Sequence, residues 1–234
     1  MKKVLVLFLL IAIGYYLVDV FSVIPFGADR IPEGNVRDFY LEKTVTDLNV
    51  PNTVTSIVVN FRGFDTLGEV TVLFLAASVL GSVLYRRRSH DEEKAVLLPS
   101  SKIVASGSRL LFAPILLLGA YVFIHGHLTP GGGFQGGVII ATGFLLMLLA
   151  YKDYKVKHSI IMWVESLAGV TFAGIGLVGL IMGKMFLENF LPLGETMNNL
   201  FSGGVIPIIY IAVGFKVGSE LTGLLYTLLN EKGE

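Results

Sequence analysis

Cysteine is absent from the 234-residue chain. That excludes iron–sulfur ligation and thioether-linked haem within it, and it removes any disulfide framework. Charge is scarce as well: 15% of residues are charged, 18 basic and 18 acidic, for a formal net charge of zero. A neutral chain of this kind has no electrostatic footprint for nucleic acid. Histidine is limited to four residues, and His90 and His158 fall on the opposite side of the apolar segments from His125 and His127, so a bis-histidine haem is not expected. A metal site at His125 and His127 would need further ligands, and none stands nearby in the sequence. No Ser/His/Asp set and no catalytic pair of carboxylates shares a plausible cleft, so neither catalysis nor a cofactor is expected of this chain.

What the chain has in abundance is apolar length. Hydrophobic residues make up 53% and the mean hydropathy is +0.73, above the range of soluble domains. A helical span needs about 20 apolar residues. Six segments qualify: 4–21, 66–85, 109–125, 134–151, 159–182 and 205–229. The first is longer than a signal-peptide core and lacks a small-residue cleavage site, so a retained span is expected. The fold class is therefore all-α, a multi-pass protein of the cell membrane with six transmembrane helices. Lys and Arg placement sets the orientation. With the N-terminus inside, twelve of the 18 basic residues are cytoplasmic, five are outside, and Lys216 lies within the sixth segment. Both termini are expected to be cytoplasmic.

A charged stretch with Pro and Ser, residues 86–106, divides the apolar blocks. The expected organisation is a two-span unit at 1–90, a linker at 91–106 and a four-span unit at 107–234. Arg86 to Arg88 suit a stop-transfer cluster. The outer loop between the first two spans starts irregularly, with Pro25, Gly27, Pro32 and Gly34. Residues 53–61 suit either an interfacial helix or an extended stretch.

Ionisable groups inside a span each need a partner or water. Lys216 and Glu220, four residues apart, share a helical face and can pair. At about 1.5 Å per residue, Glu165 lies roughly 9 Å from the cytoplasmic start of its span, and Glu220 roughly 13 Å from the cytoplasmic end of its own. The two carboxylates can thus reach similar depth on antiparallel helices, with Lys216 deeper. Two uses fit: an ion pair that fixes helix register, or a short proton or cation path. Asp65 is placed to cap the second span. Glu69, one turn deeper, suits either a pathway role or an ion pair with Arg62.

Residues 121–137 break the helical pattern with His125, His127, Thr129, Pro130, Gly131, Gly132, Gly133, Phe134 and Gln135. Non-helical backbone at membrane depth needs protein or water to satisfy its polar groups. The histidines, Thr129 and Gln135 are the expected donors and acceptors, and the glycines are expected to permit close packing against partners. The run is not a phosphate loop, since it lacks Lys-Ser/Thr and a preceding strand. Pro114 is expected to kink the third span, and Pro207 is tolerated at the start of the sixth.

The motif His-Gly-His-Leu-Thr-Pro-Gly-Gly-Gly-Phe-Gln-Gly-Gly at 125–137 resembles the signature of the MrpB (MnhB) component of Mrp-type multisubunit Na⁺/H⁺ antiporters. The likeness extends over about 97–228. Upstream, Val-Val-Asn-Phe-Arg-Gly-Phe-Asp-Thr-Leu-Gly-Glu at 58–69 resembles the carboxy-terminal end of MrpA, the large component of the same antiporters, a piece that stands as a separate small protein in archaeal membrane-bound hydrogenases and related complexes. The resemblance implies a membrane component working among other Mrp-type antiporter subunits in Na⁺/H⁺ exchange. It leaves the parent assembly open between a stand-alone antiporter, a hydrogenase and a sulfur-reducing relative, the last two with Fe–S redox subunits as partners. It also implies functional sensitivity at Pro130, Phe134 and Glu69. The rival expectation is a structural adaptor that holds antiporter subunits together without carrying ions.

Overall fold

The computed structural model describes residues 2–23, 35–88, 100–151 and 154–230. Among them every regular element is helical and there is no strand. The irregular start of the outer loop, residues 91–99 of the expected linker, and His90 lie outside the described residues.

The chain divides into two compact units at 39/40. The first contains α1 (Lys2–Val23), whose described core Val6–Ser22 is apolar along its length. A second helix, α2 (Val36–Leu48), begins in that unit and runs on into the next. Nothing in the sequence announces it: polar and apolar residues mix there without clear periodicity.

In the second unit the stretch 53–61 resolves as helical. A single turn, α3 (Thr53–Thr55), is capped by Asn52, whose side-chain oxygen accepts from the Thr55 amide. It leads into a π-helical turn, π1 (Ser56–Phe61). The Arg62 amide donates to the Ile57 carbonyl five residues back at 2.8 Å, the widened bond that defines such a turn. Then follow α4 (Gly63–Arg88), α5 (Lys102–Ile124), α6 (Gly133–Ala150), α7 (His158–Ile181) and α8 (Ile206–Asn230).

Five of these, α4 to α8, are long and apolar enough to cross a membrane. Their length follows from composition, since an apolar helix in lipid satisfies its backbone internally. The third expected span starts seven residues earlier than its apolar run, because the Ser101 hydroxyl accepts from the Val104 amide and opens α5 at Lys102. Residues 102–106, expected in the linker, are therefore helix. Pro114 sits inside α5, and Pro207 in the first turn of α8, where its missing amide leaves no bond unmade.

Helix α8 is the core. It touches α4, α5, α6, α7 and the π1 turn, and 56% of its apolar window is buried against 11% for α4. Two glycine seams hold α6 against its neighbours. A methyl group on Gly136 would lie 2.6 Å from the Gly119 carbonyl oxygen of α5, and one on Gly137 would lie 2.8 Å from the Gly214 carbonyl oxygen of α8. Small residues at such crossings let backbones approach closely. The motif glycines Gly136 and Gly137 thus make their close packing against helices of this chain.

Candidate functional site

Lys216 lies on α8 at the centre of the unit, and its long side chain is 10% exposed. A buried ammonium requires acceptors. Two carboxylates supply them: Glu165 on α7 and Glu220 one turn along α8, each with an oxygen 2.9 Å from Lys216 Nζ. The i to i+4 spacing and the matched depth expected from sequence are realised together. A third contact has no counterpart in the sequence reading. The ring of Phe74 on α4 lies 5.2 Å from Nζ, close enough for a cation–π interaction. No periodicity in α4 singles that aromatic out from its neighbours.

The set is electrostatically uneven. Glu220 is 3% exposed and Glu165 is 25% exposed. Glu220 Oε2 accepts from the lysine, while Oε1 is buried without a hydrogen-bond partner. Beside it is a cavity of about 220 Å³ between α4, α7 and α8, lined by Phe74, Ser78, His158, Glu165, Glu220 and Thr227 among others. Two acids, one base and a small polar-edged cavity form a group that can pass a proton between its members, because both carboxylates accept from the lysine within hydrogen-bond reach.

Glu69 stands apart from this set. It is exposed on α4, six residues into the span, and lines a larger cavity of about 960 Å³ between α4 and α6. Phe134 and Gln135 from the glycine-rich motif form the facing wall. Asp65 does not cap α4: the helix begins at Gly63, so Asp65 falls inside the first turn. Its carboxylate lies 2.6 Å from Arg62 Nε, so Arg62 pairs with Asp65 and not with Glu69, the second of the two uses considered for Glu69. A negative charge in that turn still complements the helix dipole.

The break between α5 and α6 is satisfied in a way the motif itself does not reveal. His125 holds Nδ1 within 3.1 Å of the Tyr121 carbonyl of its own helix and stacks on the Tyr121 ring at 4.4 Å. His127 is fully buried, and neither ring nitrogen makes a hydrogen bond. Burial, the largest cause, lowers its pKa, and the neighbouring His125 acts in the same direction; the backbone of Asn199, Leu200 and Ile124, near the ring but without bonding geometry, opposes the shift. His125 thus makes the expected bond to a backbone carbonyl of the stretch and His127 does not. Asn52 Nδ2 donates to the carbonyls of Gly126 and Thr129, the Asn52 amide donates to the His127 carbonyl, and the Thr55 hydroxyl donates to Gly126 at 2.7 Å. Tyr210 of α8 donates in turn to Thr55. Within the break, the Thr129 hydroxyl donates to the His125 carbonyl. Gln135 faces the large cavity, Pro130 is exposed, and Gly132 and Gly133 are buried while Gly131 is half-buried. A similar clasp joins π1 to the loop after α7, where Asn60 accepts from the Asn189 amide at 2.7 Å and Asn189 accepts from the Val205 amide.

Among the described residues no cluster of His, Asp and Glu is arranged to hold a metal ion.

Comparison with known proteins places two family models along the chain. Residues 103–223 match a domain related to the MnhB subunit of Na⁺/H⁺ antiporter, and residues 6–102 match MbhE, a family of MBH components. Among solved structures, a chain of the membrane-bound sulfane sulfur reductase (MBS), an archaeal respiratory membrane complex, is similar at 43% identity and a TM-score of 0.78, over 97% of this chain and 98% of that one. A chain of the Mrp complex from Dietzia sp. DQ12-45-1b shares the fold at 21% identity and a TM-score of 0.71; the similarity covers 97% of this chain and 26% of that one. An uncharacterized protein of Methanocaldococcus jannaschii is 30% identical over 223 residues, 84% of this chain and 82% of its relative.

Proposed function

The chain belongs to the family of domains related to the MnhB subunit of Na⁺/H⁺ antiporters, and from that premise we propose that it is a membrane component of an Mrp-type cation/proton antiporter module inside a larger membrane-bound respiratory complex of the MBS kind. Its partners are other Mrp-type subunits, and electron transfer takes place on Fe–S subunits elsewhere in the assembly. Helix α1 completes a set of six spans, with both termini in the cytoplasm, as the distribution of Lys and Arg favours. The amino-terminal span and α4 form the MbhE-like unit, and α5 to α8 the MnhB-like unit.

One observation carries the transport role: Lys216 is held between Glu165 and Glu220 inside the bundle, beside a small cavity. In the proposed step the ammonium gives a proton to one of the two carboxylates and is recharged through the other. The bare oxygen of Glu220 is the acceptor that faces no competing donor. Glu165, the more exposed acid, exchanges protons with the cytoplasmic side. Glu69 and Asp65 serve the outer side, where they attract the cation.

Glu165→Gln keeps the shape and hydrogen bonding of the side chain while removing its proton chemistry. In inverted vesicles carrying the assembled complex, this variant is expected to assemble normally and to lose most Na⁺-driven dissipation of the pH gradient. Full transport by a normally assembled Glu165→Gln complex would instead assign the buried charges to helix docking, the adaptor role.

A further inference from the structure

One titratable side chain beside the buried set takes no part in the transport step above. His158, the first residue of α7, is exposed, yet it lines the same cavity as Glu220, which is 3% exposed. The walls of that cavity run in register. Helix α7 contributes His158 and Glu165, α8 contributes Thr227 and Glu220, and α4 contributes Gly81 and Phe74. Each pair is seven residues apart, so its members share one helical face at a separation of about 10 Å. The second member of every pair meets Lys216: both carboxylates accept from Nζ, and the Phe74 ring faces it. The first members mark the mouth of the cavity, at the end of the bundle where α7 begins and α4 and α8 finish.

Exposure falls from His158 through Glu165, at 25%, to Glu220, so the cavity is a passage from a wet imidazole to a buried carboxylate. A volume of about 220 Å³ holds roughly seven waters at about 30 Å³ each. A file across about 10 Å needs only about four, at a hydrogen-bond spacing of about 2.8 Å. The lining supplies the polar partners that ordered water requires: Ser78, Thr227 and the two acids. Among these lining residues α4 brings no titratable group, α8 brings Glu220 alone, and α7 brings Glu165 and His158. At the mouth, therefore, His158 is the member whose ordinary chemistry binds and releases a proton between pH 5 and 8.

We propose that His158 is the proton-carrying residue at the mouth of this passage, taking protons from the aqueous side and handing them through a short file of water to Glu165. The inference rests on the proton role given to the Lys216 set, and it adds the route and the entry group. In the inward step an N–H bond of the imidazolium breaks as an O–H bond forms on the first water, the last water protonates the Glu165 carboxylate, and the neutral imidazole takes its next proton from the medium. One proton enters the file and one leaves it. The reverse sequence serves release, since both groups donate and accept within reach of water.

The test uses the assembled complex in inverted vesicles and reads Na⁺-driven dissipation of the pH gradient. His158→Gln is expected to lower the maximal rate at least about tenfold, less than the usual 10²–10⁴-fold for a positioned proton carrier because water still enters the mouth. The Na⁺ concentration for half-maximal rate is expected to stay unchanged. Imidazole added to the medium is expected to restore the rate, expressed relative to the wild type at the same imidazole concentration. Gly81→Phe fills the mouth from α4, at a position where an added Cβ meets nothing within 4 Å; it is expected to slow transport without rescue by imidazole. A wild-type rate in His158→Gln, a loss that imidazole does not restore, or unchanged transport by Gly81→Phe would each overturn the proposal. Full transport by Glu165→Gln would overturn the proton role of the set itself, whereas an inactive Glu165→Gln beside a fully active His158→Gln would overturn this entry route alone.

Discussion

Replacing Lys216 with methionine removes the one cation shared by two carboxylates, and the structure indicates what that does. The lysine makes two charge-assisted contacts of 2.9 Å. Glu220 is 3% exposed, already has one bare oxygen, and loses the donor to its other oxygen. Breaking one member of a buried pair costs about 3–5 kcal/mol because the remaining charge is left uncompensated. Glu165, at 25% exposure, accounts for the smaller part of that loss. Replacing the whole set is different: exchanging a buried ion pair or triad for well-packed hydrophobic residues of similar volume is often neutral, or stabilising by about 1–4 kcal/mol. Lys216→Met alone is therefore expected to reduce the thermal stability and recovery of the complex. The triple variant Lys216→Met, Glu165→Met, Glu220→Met is expected to recover both. Transport, followed as Na⁺-driven dissipation of the pH gradient in inverted vesicles, should remain absent in the triple variant despite its restored assembly. Wild-type transport by the triple variant would refute the proton role of the set. Unchanged stability of Lys216→Met would refute the claim that the three groups are charged and mutually dependent.

Two further outcomes test the region around the break. Asn52→Ala removes donors from the carbonyls of Gly126 and Thr129. Because Thr55 continues to serve Gly126, the loss falls on the Thr129 carbonyl and on the Thr55 amide that Asn52 caps, and a decrease of about 1–3 kcal/mol is expected in thermal or denaturant unfolding; no change would mean that water already satisfies both groups. His127 is held neutral by burial, with its pKa lowered from 6.5. The unfolded chain therefore takes up a proton before the folded one does, so the stability from this group is complete above about 6.5 and falls as the pH drops below it. His127→Leu should flatten that part of the unfolding-versus-pH curve, and an unchanged slope would assign the acid sensitivity to other groups.

Much of the fold is readable in the sequence because the bilayer imposes a simple length rule: five of the six expected segments are membrane-length helices among the described residues. The differences lie where polarity hides a helix. Residues 102–106 read as linker because Lys102 and the serines around it break the apolar run, although Ser101 gives the helix-start signal two residues after Pro99. The Lys216 and Glu220 pair is readable from its spacing, and the approach of Glu165 from depth alone. Phe74 and the Asn52 and Thr55 donors are not. Their partners are more than 70 residues away in every case, and no local pattern encodes a contact made only when separate helices close.

The Asn52, Thr55 and Tyr210 clasp also bears on gene architecture. Asn52 and Thr55 belong to the segment matched by one family model, while Gly126, Thr129 and Tyr210 belong to the segment matched by the other. What would be an inter-subunit joint in a split arrangement is here an internal one. Covalent linkage fixes the two parts at one copy each, and it raises their effective concentration to the order of millimolar for a short tether. The clasp adds directional contacts to an apolar seam in which Val50 and Val59 of one segment pack with Phe186, Leu187 and Ile206 of the other. That leaves the outer surfaces of α4 and α6 free to evolve toward other neighbours.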